Sequence, residues 1–253
     1  MRIMADSTVH KYKYFLFADT LRDPTEVKMV KRRSNFFSAR NIAFLAVLTA
    51  LVIVLQIWGS AIPIGVAGLN LSFVLIPITL GAIILGPVAG LFLGFVFGFV
   101  VLMSGVTGTN FFTAYVLNDS PFFACVTILL KGMAAGFVAG ILYKLISKKN
   151  KYVAVFVASA TVPVLNTALF ILGSLCMSGS LNTFVSEYMP SFSGRNIMYI
   201  IIVGFVSFNF LVELGINLIC APALYTVERV VEKQIVKKYP SDNLNEDKKE
   251  EVR

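Results

Sequence analysis

Long apolar runs separated by short polar connections dominate the chain. No Asp, Glu, Lys or Arg occurs between Arg40 and Asp119. A helix needs about 20 apolar residues to cross the hydrocarbon core of a bilayer. The pattern therefore predicts an all-α membrane protein, in which six transmembrane helices form a compact bundle. The predicted spans are residues 41–58, 69–85, 88–104, 121–143, 152–177 and 197–225.

The composition changes this picture only by excluding a soluble protein. Hydrophobic residues make up 57% of the 253 residues and charged residues 14%, and the mean hydropathy is +0.79. Soluble domains are about 45–50% apolar and about 25% charged. The second run is the shortest of the six and contains Pro77, so we expect it to be kinked or partly buried by neighbouring helices.

The charge of +8 is explained by topology rather than by nucleic-acid binding, because the basic residues flank the apolar runs. An even number of spans places both termini on one side, and the positive-inside rule makes that side the cytoplasm. The chain then divides into a cytoplasmic N-terminal extension (1–37), a six-helix membrane domain (38–231) and a charged cytoplasmic tail (232–253). We expect a multi-pass protein of the cell membrane. The basic clusters are Lys28, Lys31, Arg32, Arg33 and Arg40, then Lys144, Lys148, Lys149 and Lys151, then Arg229, Lys233, Lys237 and Lys238.

Aromatic residues lie in or beside the three outward connections, 59–68, 105–120 and 178–196. These residues are either interfacial anchors or caps over an outward-facing cavity. Trp58, Phe111, Phe112, Tyr115 and Tyr188 belong to this group.

Small residues recur every four positions on three of the runs. Residues four apart share a helix face, so such runs let helices approach closely. We expect the glycines of the third and fourth runs to pack inside the bundle, whereas Ala46 and Ala50 of the first run face either the bundle or a membrane partner. The glycines are Gly86, Gly90, Gly94 and Gly98, followed by Gly132, Gly136 and Gly140.

Polar residues lie near the middle of three apolar runs. Lys131, Asn166 and Glu213 fall at a similar depth, and Asn209, Glu213 and Asn217 form a stripe along the last helix. A charge at the centre of a membrane helix costs about 2.5–3.5 kcal/mol on insertion scales, so it is normally paired or functional. Two interpretations remain open: a structural ion pair between Lys131 and Glu213, or a solute pocket lined by these groups.

Motifs for catalysis or ATP binding are not found in the sequence. It contains no G-x-x-x-x-G-K-[ST], no H-E-x-x-H and no G-x-S-x-G. Its one histidine, His10, lies in a polar segment, and its three cysteines are isolated within apolar sequence. We therefore predict a solute receptor or carrier that is not an enzyme and holds no cofactor or metal.

The order of these features resembles the substrate-binding S components of energy-coupling factor (ECF) vitamin transporters. The resemblance covers residues 38–231, whereas the N-terminal extension departs from the family's compact start. It rests on the Gly86-Pro87 turn and on Asn209, Glu213 and Asn217 at four-residue spacing. The matching stretches are ARNIAFLAVLTAL, LSFVLIPITLGAIILGPVAGLFLGFVFG, LLKGMAAGFVAGILYKLISKKNKY, NTALFILG and NFLVELGINLICAPAL.

The resemblance implies a receptor that binds a water-soluble vitamin outside and delivers it through a transmembrane T component and two ATPase subunits. It implies that Ala46 and Ala50 dock the T component. Pantothenate is the favoured substrate, with its carboxylate at Lys131, and riboflavin is the competitor, stacked on aromatic residues such as Phe111. The candidate substrate-binding residues are Lys131, Asn166, Asn209, Glu213, Phe112 and Tyr115.

Two other functional classes stay open at this point. A self-sufficient, ion-coupled secondary carrier would use Glu213 as its proton or ion site. An accessory membrane protein would bind no solute and would show no stabilisation by a ligand.

Overall fold

The computed structural model describes residues 39–60 and 73–238, of which about 90% are helical and none lies in a strand. The predicted N-terminal extension, the outward stretch 61–68 and the tail after residue 238 lie outside the described residues. The helices are α1 (Ala39–Ser60), α2 (Leu75–Ile84), α3 (Pro87–Val106), α4 (Phe111–Asp119), α5 (Pro121–Ile146), α6 (Lys151–Cys176), α7 (Ser178–Tyr188), the short α8 (Ile197–Tyr199) and α9 (Ser207–Lys238). A 3-10 turn (Pro190–Phe192) follows α7, and a π-helical segment (Ile200–Val206) joins α8 to α9.

The chain divides into two units, residues 1–44 and 45–253. Of the first unit the structure describes only residues 39–44, which are helical. The packing and the site described below belong to the second unit.

Five helical segments within the described residues are long and apolar enough to cross a membrane: Ala39–Gly59, Pro87–Val106, Pro121–Ile146, Lys151–Cys176 and Ile197–Lys233. They correspond to the first, third, fourth, fifth and sixth predicted spans. The last helical segment continues to Lys238, well past the predicted end at residue 225.

The second predicted span differs, because α2 has only 10 residues. At 1.5 Å per residue it is about 15 Å long, half the thickness of a bilayer core. Most of its residues are buried, including Leu75, Pro77, Ile78 and Thr79. The expectation that this run is partly buried is confirmed, whereas a sixth helix long enough to span is not found in the described residues.

The turn between α2 and α3 depends on glycine. Gly86 has a φ of +98°, a backbone conformation that residues with a Cβ rarely adopt. Pro87 then occupies the first turn of α3, where its missing N–H removes no helical hydrogen bond. The predicted Gly-Pro turn is confirmed.

Helices α3 and α5 pack backbone against backbone through their glycines. A Cβ added at Gly94 would overlap the carbonyl group of Gly132, and one added at Gly90 would overlap that of Gly136. A Cβ at Gly98 would lie 2.8 Å from the carbonyl oxygen of Ile128. The prediction that these runs pack inside the bundle is confirmed except at Gly86, which lies in the turn and where an added Cβ would meet no atom within 4 Å.

Two of the predicted outward connections contain helices. Asn110 caps α4, since its side-chain oxygen accepts the Thr113 N–H at 2.9 Å. Phe112 and Val116 of α4 are buried together with Leu181 and Phe184 of α7. These connections therefore fold over the bundle as a packed apolar layer.

Candidate functional site

A cavity of about 130 Å³ lies within the second unit, at the depth of the predicted polar residues. A buried water needs roughly 10–15 Å³ of cavity volume, so this cavity has room for several waters or a small solute. Residues from seven parts of the chain form its wall: Gln56 of α1, Phe97 and Val101 of α3, Asn110, Phe112, Thr113 and Val116 at α4, Ala124, Thr127, Ile128 and Lys131 of α5, Asn166, Thr167 and Phe170 of α6 with Met177 directly after it, Phe205 and Val206 of the π segment, and Asn209 and Glu213 of α9.

Five of the six predicted substrate-binding residues line this cavity, namely Lys131, Asn166, Asn209, Glu213 and Phe112. They come from four different elements that converge at one depth. Tyr115 does not line the cavity.

The Lys131 ammonium is flanked by two aromatic rings. Its Nζ lies 5.7 Å from the ring centroid of Phe97 and 5.2 Å from that of Phe170. An ammonium carries three N–H donors, so at least one remains for a further group beside the two rings. Lys131 and Glu213 do not form an ion pair within 4.0 Å; in the described part of the chain such pairs join Lys151 to Glu228 and Glu232. The arrangement favours a pocket over a direct structural pair.

The Glu213 side chain accepts a hydrogen bond from a residue one turn earlier in the same helix. The Asn209 side-chain N–H donates to Glu213 Oε1 at 3.1 Å. Glu213 is only 2% exposed, and its Oε2 has no hydrogen-bond partner among the described residues. The side-chain oxygen of Asn209 is buried and unpartnered in the same way. Two acceptor atoms of α9 are therefore left unsatisfied.

Asn166 supplies a third such atom from α6. Its side chain is 7% exposed and its Oδ1 has no partner among the residues that the structure describes. Buried polar atoms are normally hydrogen-bonded, so an unsatisfied group beside a cavity indicates a missing partner.

The third residue of the predicted polar stripe has a different role. Asn217 donates to the Glu213 backbone carbonyl at 2.9 Å and accepts from the Thr79 hydroxyl at 3.4 Å. Asn217 is buried and links α9 to α2. It is a packing residue outside the cavity wall.

An aromatic cluster lies between α4 and α7, next to the cavity. Tyr115 packs at 5.1 Å from Phe184 and 5.9 Å from Tyr188, measured between ring centroids. Phe111 lies 4.9 Å from Tyr188, and Phe112 lies 5.3 Å from Phe184. Phe112 brings the cluster to the cavity wall, where it packs at 5.0 Å from Phe205, another wall residue.

The Tyr115 hydroxyl has carboxylates nearby. Desolvation raises the pKa of Tyr115 above its ordinary value of 10.0, and the charges of Glu187 and Asp119 raise it further. Asp119 also accepts a hydrogen bond from the Ser180 hydroxyl, which lies 2.7 Å from the Ser120 hydroxyl. These contacts join α7 to the junction between α4 and α5.

A second polar cluster ties α5, α6 and α9 together. The Tyr143 hydroxyl donates to Glu228 Oε1 at 2.9 Å. Lys151 contacts both Glu228, at 4.0 Å, and Glu232. These residues lie far along their helices from the cavity-lining positions, and the apolar patterning did not single them out.

Several cavity residues escaped the sequence analysis. Gln56, Asn110 and Thr127 are polar residues without a motif, and Phe97 and Phe170 are indistinguishable from lipid-facing phenylalanines in the sequence. The available signal was their spacing, because Phe170 follows Asn166 by four residues and so shares its helix face.

Ala46 and Ala50 lie on an exposed face of α1. Leu48 and Val52 are buried on another face of the same helix. The two alanines are thus accessible to lipid or to a partner.

A model of the family described as "ECF transporter, substrate-specific component" matches residues 40–225. The chain belongs to this family. The resemblance drawn from the sequence is thereby confirmed. This S component is a binding subunit of a transporter and not a member of an enzyme family. Membership implies a small-molecule substrate, partners in an ECF module and a location in a lipid bilayer.

No curated protein and no solved structure matches the chain. The family match gives no support to an ion-coupled carrier that works alone.

Proposed function

We propose that this S component binds a water-soluble vitamin in the cavity between Lys131 and Glu213. The vitamin enters from the outside and is delivered through a T component and two ATPase subunits. The observation that carries the proposal is a cavity inside a bundle of apolar helices, with a lysine and three buried, unpartnered acceptor atoms in its wall. Such groups are costly in a membrane protein unless they serve a ligand.

Pantothenate is the substrate we favour. It carries a carboxylate for the Lys131 ammonium, together with hydroxyl and amide groups for the polar wall. Riboflavin would rely more on stacking, and the ring cluster that includes Tyr115 packs mainly against itself. Phe97, Phe112, Phe170 and Phe205 remain in the wall for the apolar part of either ligand.

We further propose that the bundle crosses the membrane six times with both termini in the cytoplasm. In this arrangement the predicted second run, 69–85, which contains α2, corresponds to the second crossing, and residues 38–231 form the membrane domain. The clusters of lysine and arginine at both ends and between α5 and α6 support this orientation.

We propose that Ala46 and Ala50 dock the T component. Both side chains are exposed and small, so another helix can approach α1 closely there. The change Ala46→Trp should abolish uptake by the complete transporter while leaving the vitamin Kd of the purified chain unchanged. Weaker vitamin binding by the variant would show that α1 shapes the pocket instead.

A thermal-shift screen of the purified chain against water-soluble vitamins tests the proposed function. A ligand that binds only the folded state raises the melting temperature, by an amount that grows as its concentration exceeds Kd. We expect one vitamin to stabilise the protein, with pantothenate ahead of riboflavin. No stabilisation by any vitamin would overturn the proposal.

A further inference from the structure

The polar atoms of the cavity sort by hydrogen-bonding character. Among the residues that line the cavity, the buried unpartnered atoms are Asn166 Oδ1, Asn209 Oδ1 and Glu213 Oε2, and all three are acceptors. The cationic group of the described wall, the Lys131 ammonium on α5, is a donor. The two kinds of group therefore come from different helices.

The α9 acceptors are positioned before any ligand arrives. The hydrogen bond between Asn209 and Glu213, at 3.1 Å, uses one amide donor and one carboxylate oxygen. This hydrogen bond orients the other carboxylate oxygen. The Glu213 residue is only 2% exposed. The free carboxylate oxygen can accept a hydrogen bond, so an N–H or O–H group of a ligand would satisfy it.

The Lys131 end has the opposite requirement. Because the rings of Phe97 and Phe170 flank the ammonium at 5.7 and 5.2 Å, they hold it in a largely apolar setting. A negatively charged acceptor forms a stronger hydrogen bond in such a setting than a neutral one.

We infer that the substrate is a bipolar small molecule with two distinct ends, and this inference rests on the proposed function. An anionic group, of the carboxylate type, accepts from Lys131. Several N–H or O–H donors face Asn166, Asn209 and Glu213. In this assignment Lys131 selects for the anionic group and the α9 acceptors select for the donors.

Matched ligand pairs test the anionic end. The probes are pantothenate and panthenol, biotin and biotinamide, and nicotinate and nicotinamide, with riboflavin as a ligand that lacks a carboxylate. Calorimetric titration of the intact purified chain should show one carboxylate form binding at least about 10-fold tighter than its neutral partner, which corresponds to one hydrogen bond to a charged group. The variant Lys131→Met should bind both members of that pair equally. The matched control Lys144→Met, at an exposed position on the same helix, should keep the discrimination.

The donor end is tested with Glu213→Gln, which keeps the side-chain shape. It should weaken both members of the pair by about 10- to 100-fold while keeping the preference for the carboxylate, because the amide presents a donor where the ligand also has donors. The exposed Glu187→Gln serves as the control and should bind as the wild type does. Circular dichroism checks that each variant is folded.

The outcomes separate this inference from the proposed function. If a vitamin binds with no preference between the members of a pair, or if riboflavin alone binds, the bipolar assignment is overturned while the proposed function stands. Unchanged affinity in folded Glu213→Gln would overturn the donor end of the assignment. If no vitamin binds, the proposed function fails and this inference fails with it.

Discussion

The close approach of α3 and α5 yields a sharp prediction at Gly94. In Gly94→Ala the added methyl group would overlap the Gly132 carbonyl carbon and oxygen. These atoms belong to the backbone of another helix, so they cannot rotate away as a flexible side chain would. The contact is reciprocal, because a Cβ at Gly132 would lie 2.6 Å from the Gly94 carbonyl oxygen.

The expected size follows from two opposing effects. Alanine favours a helix over glycine by up to about 1 kcal/mol. Overpacking a well-packed interface costs about 1–3 kcal/mol. We therefore expect Gly94→Ala to lower the free energy of unfolding by about 1–2 kcal/mol, since the backbone contact leaves little room for relaxation.

Gly215 provides a matched control on α9. A Cβ added there meets no atom within 4 Å, so Gly215→Ala gains helix propensity without overlap. We expect it to be neutral or stabilising by up to about 1 kcal/mol.

The assay is thermal unfolding of the two variants and the wild type in the same detergent, followed by circular dichroism. Gly94→Ala should melt at a lower temperature than the wild type, and Gly215→Ala at the same or a higher temperature. A Gly94→Ala protein as stable as the wild type would refute the close backbone contact. Equal losses in both variants would show that the effect is not specific to the interface.

Three further predictions concern polar contacts away from the cavity. Tyr143→Phe removes the donor to Glu228, whose second oxygen has no partner among the described residues, and should cost about 1–3 kcal/mol of stability in a melting experiment. Ser180→Ala removes the donor to Asp119 and should cost about 1–2 kcal/mol, so an unchanged melting temperature in either variant would contradict the corresponding contact. The third prediction concerns Tyr115, whose pKa is raised by desolvation and by nearby carboxylates. When the ultraviolet titration curve of Tyr115→Phe is subtracted from that of the wild type, the difference should have its midpoint above pH 10.0. Since the unfolded state loses this proton first, the stability that the phenol contributes below pH 10 is lost as the pH rises through the folded pKa, more steeply in the wild type than in the variant.

The parts of the fold that the sequence predicted are those with a strong one-dimensional signal. Uninterrupted apolar runs located the five long helical segments to within a few residues at most of their ends. Four-residue glycine spacing identified α3 and α5 as helices that pack inside the bundle, although it did not show that they pack against each other. The position of Lys131, Asn166 and Glu213 along their apolar runs predicted that they lie at a similar depth, and all three line one cavity.

Other features depend on three-dimensional context. The apolar run at 69–85 does not reveal where α2 begins, because hydrophobicity alone does not fix the first residue of a helix. Helices α4 and α7 lie in polar connections, where capping by Asn110 and burial of Phe112 outweigh the weak apolar periodicity.

The sequence also could not predict which neighbours the side chains of α4 and α9 contact. Phe112 and Tyr115 are three residues apart on α4, yet Phe112 reaches the cavity and Tyr115 packs against Phe184 and Tyr188. Asn217 shares a helix face with Glu213 but finds a partner in Thr79 of α2. Neither outcome follows from spacing on a single helix, because each depends on which neighbour packs against it.

The central claim is that this S component captures its substrate unaided and depends on partner subunits for energy. Uptake of labelled vitamin into proteoliposomes, with ATP in the vesicle lumen, tests it most directly. With this chain alone we predict saturable binding without accumulation, and with the T component and both ATPase subunits we predict accumulation against a gradient. Uphill accumulation by the chain alone would contradict the account.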